Sequence, residues 1–135
     1  MIFIDTSVLS LAFRRKAAPG PEPPLVQTFR RLVEDDQPVS IPGIVLQELL
    51  SGVRTENDFV RLLGIMEGFT VVQATRDHHI AAARISSACR QGGISTSTVD
   101  CLIAAMAVEA EAKLLTADED FLPVTRLCNL HLCEA

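Results

Sequence analysis

The sequence predicts a three-layer α/β protein, in which a central, mostly parallel sheet of four to five strands lies between two layers of helices. Short segments rich in Val, Ile and Leu, typical of strands buried on both faces, alternate with longer segments of helical periodicity. Strands that alternate with helices in this way build parallel sheets. A chain of 135 residues is also of the size at which one core suffices, so residues 1–135 are expected to form a single domain.

The first half of the chain opens with an apolar strand at residues 1–5, which is expected to be central in the sheet. A helix at residues 8–16 follows and ends in a basic triplet, as suits a helix C-terminus. Four prolines within residues 16–24 exclude a regular element there. Apolar residues at helical spacing then predict an amphipathic helix at residues 25–35, and a short β-branched segment predicts a strand at residues 39–41.

The second half continues the alternation of helices and strands. Proline is accepted in the first turn of a helix, so Pro42 can begin the next one. Paired glycines at residues 92–93 end an alanine-rich helix, and the last strand is expected at the edge of the sheet. The predicted helices are residues 42–52, 57–66, 77–90 and 97–112, and the predicted strands are residues 70–72, 113–116 and 127–132.

The composition is that of a globular protein without a membrane-spanning segment. Its 48% hydrophobic and 21% charged residues are ordinary fractions, and no apolar segment approaches the roughly 20 residues needed to cross a bilayer. The four cysteines form no CxxC pair and no signal peptide precedes the first strand, so free thiols in a reducing cytoplasm are expected. A net charge of −5 disfavours a nucleic-acid partner, unless several of the acids are gathered around a cation.

Asp5 ends the first strand, at the edge of a parallel sheet where ligands bind. Taken alone, Asp5 and Ser7 are more typical of residues that cap the following helix. Asp100 changes this interpretation, because Ile103 and Ala104 lie three and four positions beyond it and place its carboxylate on the apolar, sheet-facing side of a helix. That helix leads into a parallel strand, so it begins at the edge where Asp5 is expected.

Further acids are expected at the same edge of the sheet. Asp118 and Asp120 directly follow the strand at residues 113–116, and Glu48 lies on the apolar face of its helix, although a single Glu on a helix is more often a surface residue. Two carboxylates 4 Å apart repel by about 4 kcal/mol at an effective dielectric of 20, so such a group needs a cation. Oxygen ligands without His or Cys favour Mg²⁺ or Mn²⁺.

Four segments carry these acids with particular spacings. They are Phe3-Ile4-Asp5-Thr6-Ser7, Pro42-x5-Glu48-Leu49, Ser97-x2-Asp100-x2-Ile103-Ala104-Ala105 and Leu115-Thr116-x-Asp118-x-Asp120-Phe121. In this order and at these spacings they resemble the signatures of the PIN domain family, and within it the VapC-like toxins of toxin–antitoxin systems. Each segment is weak alone, but the set is specific and the resemblance covers essentially the whole chain.

The resemblance implies a compact nuclease that cuts RNA by metal-assisted hydrolysis. The family's four acidic positions fall on Asp5, Glu48, Asp100 and Asp118. Asp120 is a further candidate ligand, and whether Asp118 or Asp120 binds the metal directly stays open. Small polar positions that hold water or the geometry of the site fall on Thr6, Ser7 and Thr116. The resemblance also implies a homodimer and a cognate antitoxin protein that covers the acidic pocket.

Other polar residues have structural explanations, and one rival function is kept. The three histidines have no ligand spacing with a cysteine, so packed or solvated roles are expected. The basic residues at 14–16, with Arg30 and Arg31, either contact RNA phosphates or form a solvated face, and the sequence favours neither. The alternative function is a PIN-fold module that binds RNA or a protein without cleaving it.

Overall fold

A five-stranded sheet forms the centre of the computed structural model, which describes residues 1–13 and 19–134. Its order is β3-β2-β1-β4-β5, and every neighbouring pair of strands is parallel. The prediction of a parallel sheet with the first strand at its centre is therefore confirmed. The strands are β1 (Ile2–Ile4), β2 (Val39–Pro42), β3 (Thr70–Val72), β4 (Lys113–Leu115) and β5 (His131–Leu132).

The described residues contain seven helices. Helix α1 packs against α2 and α3, and α5 packs against α6. The predicted helices after residue 24 are all present, with bounds within a few residues of those expected. The helices are α1 (Thr6–Phe13), α2 (Pro24–Glu34), α3 (Gly43–Ser51), α4 (Glu56–Met66), α5 (Arg76–Gln91), α6 (Thr98–Glu109) and α7 (Phe121–Val124).

Both faces of the sheet are covered. Successive residues of a strand point to opposite faces, and in β1 both Phe3 and Ile4 are at most 1% exposed. The same holds in β4, where Leu114 and Leu115 are both fully buried. Strands buried on both faces require helices on both sides, so the three-layer α/β/α architecture is confirmed.

The strand order reverses direction at β1. The chain passes from β1 to β2 and β3 on one side, and then to β4 and β5 on the other. In open α/β sheets the crevice at the carboxyl ends of the strands beside such a reversal is where ligands bind. The Asp5 amide donates to the Leu115 carbonyl at 3.0 Å, which joins the carboxyl ends of β1 and β4 at this crevice.

Hydroxyl side chains begin α5 and α6. Ser97 accepts a hydrogen bond from the Asp100 amide, and Thr75 accepts one from the His78 amide. The buried His78 returns the bond, because its Nδ1 accepts from the Thr75 amide at 2.9 Å, while its Nε2 lies 3.1 Å from Glu109 Oε2. His78 therefore joins α5 to α6 and has the packed role expected of it.

The end of the chain differs from the prediction. A strand at residues 127–132 was expected, but β5 contains only His131–Leu132. The preceding residues form α7 and turns, because Phe121 and Val124 are buried in the core and Pro123 is accepted in the first turn of a short helix. The predicted end of the first helix at residues 14–16 lies outside the described residues.

Four cysteines are free thiols, as expected: Cys89, Cys101, Cys128 and Cys133. Burial raises the pKa of the Cys89 and Cys128 thiols, which disfavours the reactive thiolate. Across residues 1–13 and 19–134, no helix combines the length and apolar character needed to span a membrane.

Candidate active site

Asp5 is a buried carboxylate held by two hydroxyl groups. It follows β1 directly and is 5% exposed. Ser7 Oγ and Thr116 Oγ1 each donate to Asp5 Oδ2 at 2.8 Å. Both donors reach the same oxygen, so among the described residues Asp5 Oδ1 is left as the atom that can contact a ligand.

The same two hydroxyls tie together the segments that follow β1 and β4. Ser7 Oγ accepts from the Ala117 amide at 2.9 Å, and Thr116 Oγ1 accepts from the Asp118 amide at 3.0 Å. The Ser7 and Thr116 oxygens are themselves 3.3 Å apart. Asp5 and the segment that carries Asp118 are therefore parts of one hydrogen-bond network.

In the described part of the chain, the Asp5 and Ser7 side chains do not have the helix-capping contacts that are typical of Asp and Ser taken alone. The amides of Val8 and Leu9 in α1 donate to the Asp5 backbone carbonyl, at 3.2 and 3.4 Å. The Asp5 and Ser7 side chains instead bond to each other and to Thr116. Their role is in the crevice and not at the helix end.

Asp118 and Asp120 differ in position. Asp118 is half-buried, and its Oδ1 accepts a hydrogen bond from the Asp120 amide at 2.9 Å. Asp120 is exposed at the start of α7, and its own side chain makes no capping bond there. The Asp120 backbone thus holds Asp118 by one oxygen, much as Ser7 and Thr116 hold Asp5.

The pKa of Asp100 is raised by burial and, in part, by the charges of the neighbouring acids. Burial most of all, and then the charges of Asp5, Asp118 and Glu48, together raise the pKa of Asp100 to about 6, against a hydrogen bond from Ser97 that lowers it. Asp120 is not among the charges that raise it. The carboxylates after β1, in α3, in α6 and after β4 therefore form one electrostatic group.

Glu48 corrects the expectation that all four acids point inward. The buried residues of α3 are Val45 and Leu49, and Glu48 is exposed. It lies at the rim of the group, where Thr6 Oγ1 donates to its Oε1 at 2.8 Å. Periodicity alone could not find this bond, because it joins residues 42 positions apart in the chain.

A cleft opens beside Glu48, between α1, α3 and α4. Its volume is about 460 Å³. The floor is apolar and includes Leu9, Leu49 and Leu62, all buried, while Arg54 and Arg61 lie on its polar wall with Glu48. Asp58 also lines the cleft, 3.9 Å from Arg61, so the acidic group borders a surface of apolar side chains and charges of both signs.

The expected basic surface is only partly described. The Arg30 guanidinium forms an ion pair with the Glu22 carboxylate, and Arg31 is exposed in the last turn of α2. Residues 14–16 lie outside the described part of the chain. The Arg30 guanidinium therefore already has a carboxylate partner in Glu22.

The acidic group suits a hard divalent cation by its chemistry. Its potential ligands are carboxylate oxygens, without His or Cys, as Mg²⁺ and Mn²⁺ prefer. In the described ranges no three Asp, Glu, His or Cys side chains stand together as a closed ligand set, so the carboxylates are neighbours whose side chains would have to rotate inward around an ion. The mutual repulsion at Asp100 is the cost that such an ion would remove.

Comparison with known proteins agrees with this fold. Residues 2–127 match the PIN domain family. The chain is 31% identical to ribonuclease VapC11 of Mycobacterium tuberculosis over 133 residues, which covers 97% of this chain and 96% of that protein.

Two solved structures share the fold. The structure of VapBC2 from Rickettsia felis, bound to a DNA fragment from the VapBC2 promoter, has a TM-score of 0.77 at 22% identity. The match covers 98% of this chain and 98% of that chain. FitAcB from Neisseria gonorrhoeae has a TM-score of 0.76 at 19% identity, with 99% of this chain and 97% of that chain covered. The chain belongs to the PIN domain family.

Proposed function

We propose that this chain is a metal-dependent endoribonuclease, the toxin of a toxin–antitoxin pair. The observation that carries the proposal is the electrostatic group formed by Asp5, Glu48, Asp100 and Asp118 at the edge of the sheet where the strand order reverses. Support also comes from the similarity to a protein named as a ribonuclease along nearly its whole length.

Four carboxylates would hold the metal ion, with Asp120 outside them. They are Asp5, Glu48, Asp100 and Asp118. We infer Mg²⁺ or Mn²⁺, since only oxygen ligands are offered. When bound, the ion supplies positive charge against the scissile phosphate and acidity to an attacking water molecule.

The protein's own contribution is to hold three of the carboxylates by one oxygen each. Asp5 is held through Oδ2, Asp118 through Oδ1 and Glu48 through Oε1. In each case the bonds within the described residues reach one oxygen and leave the other for a ligand. Each of these carboxylates would turn its free oxygen toward an ion while the other oxygen stays anchored, and partial preorganisation of this kind favours affinity and rate.

We further propose RNA, a cognate antitoxin and a second copy of the chain as its partners. The structural relatives include a toxin–antitoxin complex from Klebsiella pneumoniae and VapBC2 of Rickettsia felis bound to promoter DNA. An inhibitor that covers the acidic group would have to bring a positive charge or cover the ion. We infer that residues 1–135 act as one domain, and that the protein acts on RNA in the cytoplasm.

Purified protein incubated with RNA tests this function. We expect internal cleavage in the presence of Mg²⁺ or Mn²⁺ and none in EDTA, and sequencing of the new RNA 5′ ends would identify the target. RNA that is bound but left intact in both metal ions would instead favour the alternative, a binding module without turnover. Coexpression with the protein encoded beside the gene should suppress cleavage if that protein is the antitoxin.

A further inference from the structure

The acidic group consists of Asp5, Glu48, Asp100 and Asp118. Glu48 is its one member that packing against the protein does not hold in place. Asp5 is buried, and Asp100 and Asp118 are half-buried, whereas Glu48 is exposed on the outer side of α3. Exposed Glu side chains sample several rotamers, and fixing one of them costs conformational entropy. Something other than packing must therefore keep Glu48 beside the other acids.

The bond that does so comes from Thr6. Its Oγ1 donates to Glu48 Oε1 at 2.8 Å, which links the start of α1 to α3. Thr6 is half-buried and directly follows Asp5, so its backbone is fixed by the strand before it. A β-branched side chain in a helix has few rotamers, so the hydroxyl has a defined direction.

Without that bond, Glu48 has other partners within reach of its own cleft. The side chain lines the cleft between α1, α3 and α4 together with Arg54 and Arg61. Arg61 already donates to the Phe13 carbonyl at 2.8 Å, but Arg54 is exposed. A carboxylate released by Thr6 can therefore sample rotamers that point into this cleft and away from Asp5.

We propose that Thr6 is a positioning residue, whose hydroxyl keeps Glu48 with the other three acids and so completes the cation site. This role rests on the proposed function, because it assigns Glu48 to a metal-binding group. Thr6 acts through Glu48, so loss of the Thr6 hydroxyl should lower the affinity of the protein for the metal ion only while the Glu48 carboxylate is present.

A double-mutant cycle on Mn²⁺ affinity, measured by calorimetry on the full chain, tests the role. Thr6→Val keeps the shape of the side chain and removes only the hydroxyl, and Thr6→Ser keeps the hydroxyl. Loss of a group that orients a metal ligand typically weakens affinity roughly 10- to 100-fold, and we expect Thr6→Val to fall in that range. Thr6→Ser should bind Mn²⁺ nearly as the wild type does. In a Glu48→Gln background, Thr6→Val should cause no further loss.

Three results would overturn this role for Thr6. They are wild-type affinity in Thr6→Val, an equal loss in Thr6→Ser, or a loss from Thr6→Val that persists undiminished in the Glu48→Gln background. A wild type without Mn²⁺ affinity would refute both this role and the metal site. If Thr6→Val does not fold, as judged by circular dichroism, Thr6→Ala takes its place in the cycle. RNA cleavage is measured separately. If Thr6→Val and Glu48→Gln are coupled in their effect on Mn²⁺ affinity but the protein cuts no RNA, the nuclease function alone is refuted. If the two substitutions are not coupled and the wild type cuts RNA, the role of Thr6 alone is refuted.

Discussion

Thr116 and Asp5 are 111 positions apart in the chain, and the Thr116 hydroxyl donates a 2.8 Å hydrogen bond to Asp5 Oδ2. The same oxygen of Thr116 accepts from the Asp118 amide. One side chain thus holds a carboxylate after β1 and the backbone of a second carboxylate after β4. The parallel pairing of these two strands brings the three residues together.

Replacement of Thr116 by Val should therefore disturb two acids at once. We expect cleavage to fall roughly 10- to 100-fold, as is typical when a residue that orients metal ligands is lost. The free energy of unfolding should fall by about 1 kcal/mol, because the Asp118 amide and Asp5 each lose a partner. Cleavage assays and urea unfolding measure the two effects.

Thr116→Ser keeps the hydroxyl and serves as the rescue variant. Thr28→Val removes a hydroxyl of α2 whose one bond within residues 1–13 and 19–134 goes to the Pro24 carbonyl, and it serves as the control for loss of a hydroxyl. Cleavage by Thr116→Val at the rate of Thr28→Val would contradict the positioning role.

Asp100 should destabilise the metal-free protein at neutral pH. Its folded pKa of about 6 lies above the ordinary value of 3.8, so the native state holds the proton more tightly than the unfolded chain does. The stability linked to that proton is fully present below about pH 4 and is lost as the pH rises through 6. Above pH 6 the ionised carboxylate remains as a cost.

Asp100→Asn should therefore stabilise the protein in EDTA at pH 7. The whole pKa difference corresponds to about 3 kcal/mol, and half-exposure to solvent reduces the expected gain to about 1 kcal/mol. The gain should vanish below about pH 4, where the wild-type carboxyl is also neutral. Urea unfolding across this pH range measures it, with Glu119→Gln as an exposed control; a gain that is the same at both pH values would contradict the explanation.

Divalent cations should stabilise the folded chain at pH 7. An ion at 100 times its dissociation constant adds about 2.7 kcal/mol if it binds only the native state, which for a domain of this size corresponds to roughly 5–10 °C in Tm. Asp5→Asn should remove most of this shift, and EDTA should reverse it in the wild type. Thermal unfolding that ignores Mg²⁺ and Mn²⁺ in the wild type would count against a cation site.

His78 should matter for stability and not for chemistry. His78→Ala removes the acceptor of the Thr75 amide and leaves a gap between α5 and α6, so a loss of about 1–2 kcal/mol is expected. His78→Gln can still accept from that amide, as Gln does in capping boxes, and should lose less. Cleavage per folded molecule should be unchanged in both variants, and a specific loss of activity in His78→Gln would give the residue a function.

The order of the strands and helices could be predicted from the sequence because local patterns control it. Apolar segments predicted β1 and β4, and Ser97 with Asp100 marked the start of α6. Helical spacing could place Glu48 on α3 but could not show that the side chain is exposed. A strand at residues 127–132 is the prediction that fits least well, because the chain is still in the turn and bend that follow α7 at residues 125–128 and only His131–Leu132 pair with β4.

The hydrogen bonds of the site depend on tertiary structure and could not be derived from spacing. Ser7 and Thr116 meet only because β1 and β4 pair in parallel, and Thr6 meets Glu48 only because α1 packs on α3. Asp118 and Asp120 were indistinguishable in sequence. They differ in the structure because the turn between them leaves Asp118 half-buried and Asp120 exposed.

We propose that the acidic group at the end of β1 hydrolyses RNA. The most direct measurement compares RNA cleavage in Mg²⁺ by the wild type, by Asp5→Asn and by Glu119→Gln, an exposed acid beside Asp118. We expect Asp5→Asn to fold and to show no cleavage, and Glu119→Gln to cleave as the wild type does. Metal-dependent cleavage by a folded Asp5→Asn variant at the wild-type rate would contradict the claim.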